Sequence, residues 1–265
     1  MITITVTAID GTGGDGALRG TPYSPPVVRV PSLLVPPIGF AHRGARASSP
    51  ENTLEAFTLA LRLGATGIES DAWVTADGVV VLDHDGLVGG RLRRRPIASL
   101  PYGQLPGHIP TLEDLYATCG TSFELSLDVK DPAAAPGVVD VARAAGGAAS
   151  ERLWLCHHDW ELVATWRRPY AEARLVDSTA VSAMRTGPER RAAQLSAAGI
   201  DAVNLHRSAW SGGLTTLFHR FGVHALAWDC QHERHLDEVL DDGVDGVFSD
   251  HVDRMVDALG RAYPG

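Results

Sequence analysis

Short apolar runs alternate with amphipathic stretches from Ile38 almost to the end of the chain. The runs at 38–41, 67–72, 79–82, 122–129, 153–156, 174–176, 202–205, 223–228 and 246–248 have the length and apolar density of buried strands. Between most of them, apolar residues recur three and four positions apart, at 53–63, 112–118, 137–145, 160–167, 188–198, 214–221, 233–240 and 251–259. That spacing predicts helices with one buried face. Asn52, with Glu55 three residues on, predicts the N-cap of the first helix. Gly199 and Gly243 stand where helices give way to strands, as residues able to turn a helix end do.

The strand–helix unit recurs about eight times, at roughly 28 residues per unit, which suits a (β/α)8 barrel. A doubly wound open sheet would place a glycine-rich phosphate loop after its first strand. Here that strand runs into His42-Arg43-Gly44 instead. The expected fold is therefore α/β, a TIM-type (β/α)8 barrel of parallel strands with outer helices, over residues 38–265. Residues 1–37 read as a tail. Six of the 16 prolines fall between Pro22 and Pro37, glycines cluster at 11–16, and a short strand is expected at 2–9. The tail lacks the basic start, apolar run and cleavage site of a signal peptide.

Composition narrows the function. The net charge of −9 argues against nucleic acid as a partner, since that needs a basic face. No apolar run approaches the roughly 18 residues of a membrane span, so no integral membrane segment is expected. Cys119, Cys156 and Cys230 are too few and too scattered for a disulfide framework or a zinc cluster, so a cytoplasmic location is expected. Oligomeric state leaves no mark in the sequence. Among 23 Lys and Arg residues, Lys130 is the one lysine. A lysine kept against such a bias is a candidate for chemistry.

In a barrel, chemistry collects where strands end. The predicted strand ends carry His42-Arg43, Glu69-Ser70-Asp71, Asp83-His84-Asp85, Asp128-Val129-Lys130 and Trp228-Asp229. Glu69 and Asp71 are two apart on a strand and share a face. Two such carboxylates repel unless a cation lies between them. Asp128 adds a third from the neighbouring strand. An all-oxygen set suits a hard ion, Mg²⁺ or Ca²⁺. His42 and His84 are candidates for general acid and base. Arg43 and Lys130 would meet an anionic group, and Trp228 would wall the pocket. Of the 11 histidines, 157, 158, 219, 224, 232 and 235 read as surface or structural residues, while His206, also at a strand end, stands between the two readings. The basic run 91–95 reads as a solvated loop or as an anion attractor at the barrel mouth.

The motifs resemble those of the glycerophosphodiester phosphodiesterases. They comprise His42-Arg43-Gly44, Pro50-Glu51-Asn52-Thr53-Leu54-Glu55-Ala56-Phe57, Gly67-Ile68-Glu69-Ser70-Asp71, Asp77-Gly78 and His84-Asp85. Ile109-Pro110-Thr111-Leu112-Glu113-Asp114, Leu125-Ser126-Leu127-Asp128-Val129-Lys130, Trp228 and Gly243-Val244-Asp245-Gly246-Val247 follow in order. The resemblance implies a TIM-type barrel that uses a divalent cation to cleave a small glycerophosphodiester to glycerol 3-phosphate and an alcohol. It implies Glu69, Asp71 and Asp128 as metal ligands and His42 and His84 as the acid/base pair. It further implies that Arg43 and Lys130 hold phosphate and that Trp228 lies against the glycerol end. The chain departs from the family pattern at Asp128, where glutamate is common, and at Asp229, where threonine is usual. Only 25 residues, 85–109, are available for the family's small inserted domain. Alternatives are a lysophospholipase D or sphingomyelinase-D-like enzyme acting on lipid, whose relatives share the histidine and carboxylate pattern, and a non-catalytic phosphodiester-binding barrel.

Overall fold

The computed structural model describes residues 29–90 and 93–264. The strand expected at 2–9 and the glycine cluster lie outside the described residues, as do Arg91 and Leu92 of the basic run. In chain order the elements are β1 (Ile38–His42), α1 (Leu54–Arg62), β2 (Gly67–Val74), β3 (Val80–Leu82), β4 (Leu87–Val88), β5 (Arg95–Pro96) and α2 (Leu112–Cys119). They continue with β6 (Glu124–Val129), α3 (Ala135–Ala145), β7 (Leu153–His157), α4 (Trp160–Trp166), β8 (Arg174–Ser178) and α5 (Pro188–Ala198). The last are β9 (Ala202–His206), α6 (Gly212–Arg220), β10 (His224–Trp228), α7 (Glu233–Asp241), β11 (Gly246–Ser249) and α8 (Val252–Ala262).

Eight parallel strands close on themselves in the order β1, β2, β6, β7, β8, β9, β10, β11 and back to β1. This is the expected TIM-type barrel. The run at 79–82 is the exception among the predicted strands. As β3 it folds back antiparallel on the end of β2, pairing Val80 with Val74 and Leu82 with Ala72, outside the barrel wall. With the β4–β5 ribbon and a small core of Val81, Ile97 and Ile109, it forms a compact excursion above the second strand.

Side chains alternate across each strand, and the alternation explains the interior. Phe40, Trp154, Cys156, Val176, Ala202, Leu226 and Phe248 point inward and form an apolar plug. Two residues further along their strands, the inward positions become His42, Asp128 beyond Ser126, Ser178, Asn204, Trp228 and Asp250. The barrel is thus sealed by packing below and polar above. A larger apolar shell joins the outer strand faces to the helices, where Phe57, Leu115, Val139, Leu195, Phe218 and Leu236 are buried.

The helix starts explain local order. Thr53, not Asn52, caps α1, its hydroxyl accepting from Ala56 N. Asn52 instead takes a positive φ of 54° and turns its side chain toward β2. Thr111 and Asp114 form a reciprocal capping box on α2. Gly44, at φ 80°, brings the turn after β1 so close to α1 that a Cβ there would lie 2.7 Å from the Ala56 backbone.

Of the expected tail, residues 29–37 run along the N-terminal end of the barrel. Val30 N donates to Asp241 O, and the Arg29 guanidinium pairs with the Asp241 carboxylate at 2.9 Å. Ser32 Oγ and Leu33 N donate to Asp245 Oδ1 at 2.7 and 2.6 Å.

Candidate active site

The polar end of the barrel encloses a cavity of about 560 Å³. His42, Arg43, Glu69, His84, Asp128, Lys130 and Trp228 all line it, and Asp71 lies beside them, almost fully buried in β2. The structure therefore brings together all eight residues singled out from the sequence. His42, Asp128, Lys130 and Trp228 come from the ends of β1, β6 and β10 or the residue just beyond, Glu69 and Asp71 come from within β2, and Arg43 and His84 come from the segments that follow β1 and β3.

Glu69, Asp71 and Asp128 each offer one carboxylate oxygen, and these oxygens lie within 4.8 Å of one another. Asp71 and Asp128 are partners in the β2–β6 register, which sets the spacing. Oxygens around a hard cation at bond lengths of about 2.0–2.6 Å are separated by similar distances. The charges also call for a cation. Burial raises the Glu69 carboxyl to about 8, and the charges of Asp71 and Asp128 add to the rise. His42 and the Arg43 N–H, which donates to Glu69 Oε2 at 3.0 Å, offset it only in part. The donor set thus fits a hard divalent ion.

Cations already border this cluster. Lys130 Nζ lies 3.1 Å from Asp71 Oδ1 and 3.0 Å from Asp128 Oδ2. Burial works against its charge, but the two carboxylates more than compensate and hold the ammonium well above its usual range. Arg43 occupies a left-handed backbone position, φ 53°. Its Nη1 donates to Glu51 at 3.1 Å and its Nε lies 3.5 Å from Asp71 Oδ2. Asn52 Nδ2 donates to Asp71 Oδ2 at 3.3 Å and Asn52 Oδ1 accepts from Ser70 Oγ at 2.7 Å. The residue expected to cap a helix therefore orients a carboxylate, because Thr53 does the capping.

The two histidines differ in surroundings. His42 Nε2 is 3.8 Å from Glu69 Oε2, and its Nδ1 shares a 2.5 Å hydrogen bond with Asp250 Oδ1. Burial disfavours the imidazolium, yet Glu69 and Asp250 outweigh it and raise the His42 pKa. His84 is more exposed and pairs through Nδ1 with the adjacent Asp85 at 2.9 Å.

Asp250 is the residue that sequence reasoning passed over. It follows β11 directly, so the rule that found the other strand-end groups covers it as well. Asn204 and Gln231 also line the cavity unannounced. His206 does not line it but packs edge-on against Trp228, with ring centroids 4.6 Å apart. Of the basic run, Arg93, Arg94 and Arg95 are exposed, and Arg94 reaches to 3.8 Å from Asp85 beside His84.

A closed parallel barrel with carboxylates, imidazoles and cations around one rim cavity is the architecture of a barrel enzyme whose site lies at the C-terminal ends of the strands. The comparisons with known proteins narrow the class. The model of the glycerophosphoryl diester phosphodiesterase family matches residues 42–254. A probable glycerophosphodiester phosphodiesterase 2 of Mycobacterium tuberculosis is 30% identical, over 84% of this chain and 90% of its own length. A putative glycerophosphoryl diester phosphodiesterase from Silicibacter pomeroyi superposes with a TM-score of 0.74 at 22% identity, over 88% of this chain and 95% of that one. A phosphodiesterase from Oleispira antarctica, solved with the product sn-glycerol-3-phosphate, gives a TM-score of 0.73 at 20% identity, over 84% and 96% of the two chains. The chain belongs to the glycerophosphoryl diester phosphodiesterase family and is an enzyme, a phosphoric diester hydrolase for glycerophosphodiesters. Among the described residues, no helix is long and apolar enough to cross a membrane.

Proposed function

We propose that the enzyme hydrolyses a small glycerophosphodiester to glycerol 3-phosphate and an alcohol, using one divalent cation, Mg²⁺ or Ca²⁺, held by Glu69, Asp71 and Asp128. The convergence of these three carboxylates below two imidazoles in one cavity carries the reading. The bound cation would supply Lewis-acid polarisation of a phosphoryl oxygen. Lys130 and Arg43 provide fixed positive charge for the phosphate. His42 and His84 form the acid/base pair, one taking the proton from the attacking hydroxyl and the other giving one to the leaving alcohol. Asp250 holds His42 Nδ1, which leaves Nε2 to face the cavity. Trp228 lies against the substrate's polyol end. The product held by the structurally similar Oleispira protein supports glycerol 3-phosphate as the product here. Residues 38–265 form the catalytic domain, and residues 29–37 of the expected tail pack along its N-terminal end. The three free cysteines support a cytoplasmic setting.

The test is release of glycerol 3-phosphate from glycerophosphocholine and glycerophosphoethanolamine after chelation and again after Mg²⁺ or Ca²⁺ is restored. Turnover should require the ion. His42→Ala and His84→Ala should each lose at least about 100-fold in kcat. Either variant turning over near the wild-type rate would remove that histidine from the pair.

A further inference from the structure

His84 is the member of the acid/base pair that no barrel strand carries. It sits in the turn 83–86 that follows β3, and β3 itself lies outside the barrel wall. A catalytic group has to be held within about 0.5 Å of its productive place. Something other than a barrel strand must therefore hold this turn.

The indole of Trp73 meets the turn at both ends. Along β2, the alternation that puts Glu69 and Asp71 on one face continues to Trp73. Trp73 pairs with Val81 in the β2–β3 register and is half-buried against Val81, Ile97 and Ile109, outside the cavity lining. Its Nε1–H donates to Asp83 O at 2.8 Å. Asp83 N donates to Asp71 O at 3.0 Å, so the first residue of the turn is tied to β2 twice. At the other end, Gly86 lies so close to the indole that a Cβ there would overlap the six-membered ring. Its φ of 65° and that contact both call for glycine. Gly86 N closes the turn on Asp83 Oδ2 at 2.8 Å, and Ile97 N donates to Gly86 O at 2.9 Å. His84 and Asp85 are strung between these two fixed points, with Asp85 Oδ1 at 2.9 Å from His84 Nδ1.

We propose that Trp73 is a positioning residue for His84, anchoring both ends of the turn that carries it. The proposal rests on the hydrolytic reading above, in which His84 belongs to the acid/base pair. The indole lies away from the cavity and acts through the turn. A shift of about 1 Å at a reacting group can cost about 100-fold in rate. A loosened turn therefore lowers kcat, while the phosphate contacts of Arg43 and Lys130, and KM with them, stay as they are. On this reading β2 supplies two carboxylates for the cation and, two residues on, the post for one imidazole.

The experiment measures kcat and KM on glycerophosphoethanolamine with Mg²⁺ or Ca²⁺ supplied. Trp73→Phe keeps an apolar ring and removes the N–H. It should lower kcat by about 10-fold and move KM by less than about twofold. In His84→Ala the same substitution should change the residual kcat by less than about twofold, because the group it positions is gone. Gly86→Ala should lower kcat by at least about 10-fold in the wild type. Beside Trp73→Leu it should cost no more than about threefold relative to Trp73→Leu alone, since the ring that the methyl strikes is absent. The rise in melting temperature when the ion is added to chelated protein should be the same in Trp73→Phe as in the wild type, which separates the turn from the neighbouring Asp71. Four results would each overturn the proposal while wild-type turnover keeps the hydrolytic reading standing. They are an unchanged kcat in Trp73→Phe, an equal loss with and without His84, an equal cost of Gly86→Ala with and without the ring, and a diminished response to the ion in Trp73→Phe. No turnover by the wild type with either ion would overturn the hydrolytic reading, and the positioning role with it.

Discussion

Glu69 and Asp245 are both buried carboxylates of the barrel strands or their immediate approaches, one near the C-terminal rim and one at the N-terminal end. Their environments push them in opposite directions. Asp245 accepts from Ser32 Oγ, Leu33 N, Leu34 N, Ala225 N and His219 Nε2 at 2.6–3.3 Å. Burial works against its charge, but the hydrogen bonds outweigh burial and hold the carboxyl far below the usual range. Glu69 has a single backbone donor, with His42 on one side and two carboxylates on the other, and burial raises it to about 8 despite the imidazole. Asp177 stands between them. One oxygen pairs with Arg191 at 2.9 Å, the other has no partner among the described residues, and burial raises it to about 6 against that single guanidinium. The graded series teaches that burial alone says little about a carboxylate's role. A carboxylate supplied with donors holds the fold together, whereas one buried beside other carboxylates with few donors is poised for an outside cation.

The contrast can be broken most sharply at Glu69. Glu69→Gln should lose at least about 1,000-fold in kcat, since it removes one of three charges on the cation. Measured by thermal unfolding in chelator near neutral pH, the same variant should melt higher by about 2–4 °C, the shift that about 1 kcal/mol gives a domain of this size. A lower melting temperature would mean that Glu69 is a structural group after all. Asp245→Asn should do the reverse. It should cost about 2–4 kcal/mol of stability in denaturant titration, because several buried donors lose their charged acceptor. The kcat of the molecules that remain folded should stay near wild type.

Saturating Mg²⁺ or Ca²⁺ should stabilise the chelated wild type by about 2.7 kcal/mol at 100 times Kd. Glu69→Gln should gain far less, while Asp245→Asn should gain as much as the wild type. Asp250→Asn should lower kcat by about 10-fold with little change in KM, since asparagine keeps a hydrogen-bond partner for His42 but not the charge. The smallest effect lies in acid. Asp245 has its folded pKa below its unfolded value of about 3.9. Its contribution is complete above that pH and is lost as pH falls toward the folded pKa. Unfolding below about pH 4 should therefore be less steep in Asp245→Asn than in the wild type, and identical acid profiles would remove Asp245 as the origin.

Much of this was legible in the chain. Strand and helix periodicities are local, and they predicted about eight strand–helix units. Reading the strand ends then named His42, Glu69, Asp71, Asp128, Lys130 and Trp228, all now around one cavity or at its edge. The run at 79–82 is a strand, as its composition predicts, but it does not join the barrel wall. Its separation from β2 by a short turn makes it fold back antiparallel instead. Local reading also gave Asn52 to the helix, since asparagine is by itself the stronger N-cap than the neighbouring Thr53.

What tertiary structure alone decided is which polar groups meet. Closure sets β2 between β1 and β6, and that register brings Asp71 opposite Asp128 with Lys130 against both. It joins Asp250 to His42 across 208 positions of sequence and Ser32 to Asp245 across 213. The sequence determined the barrel and most of its reactive groups, because periodicity is written in neighbouring residues. Whether each carboxylate is satisfied or frustrated depends on donors brought from distant strands, and only the folded chain supplies those.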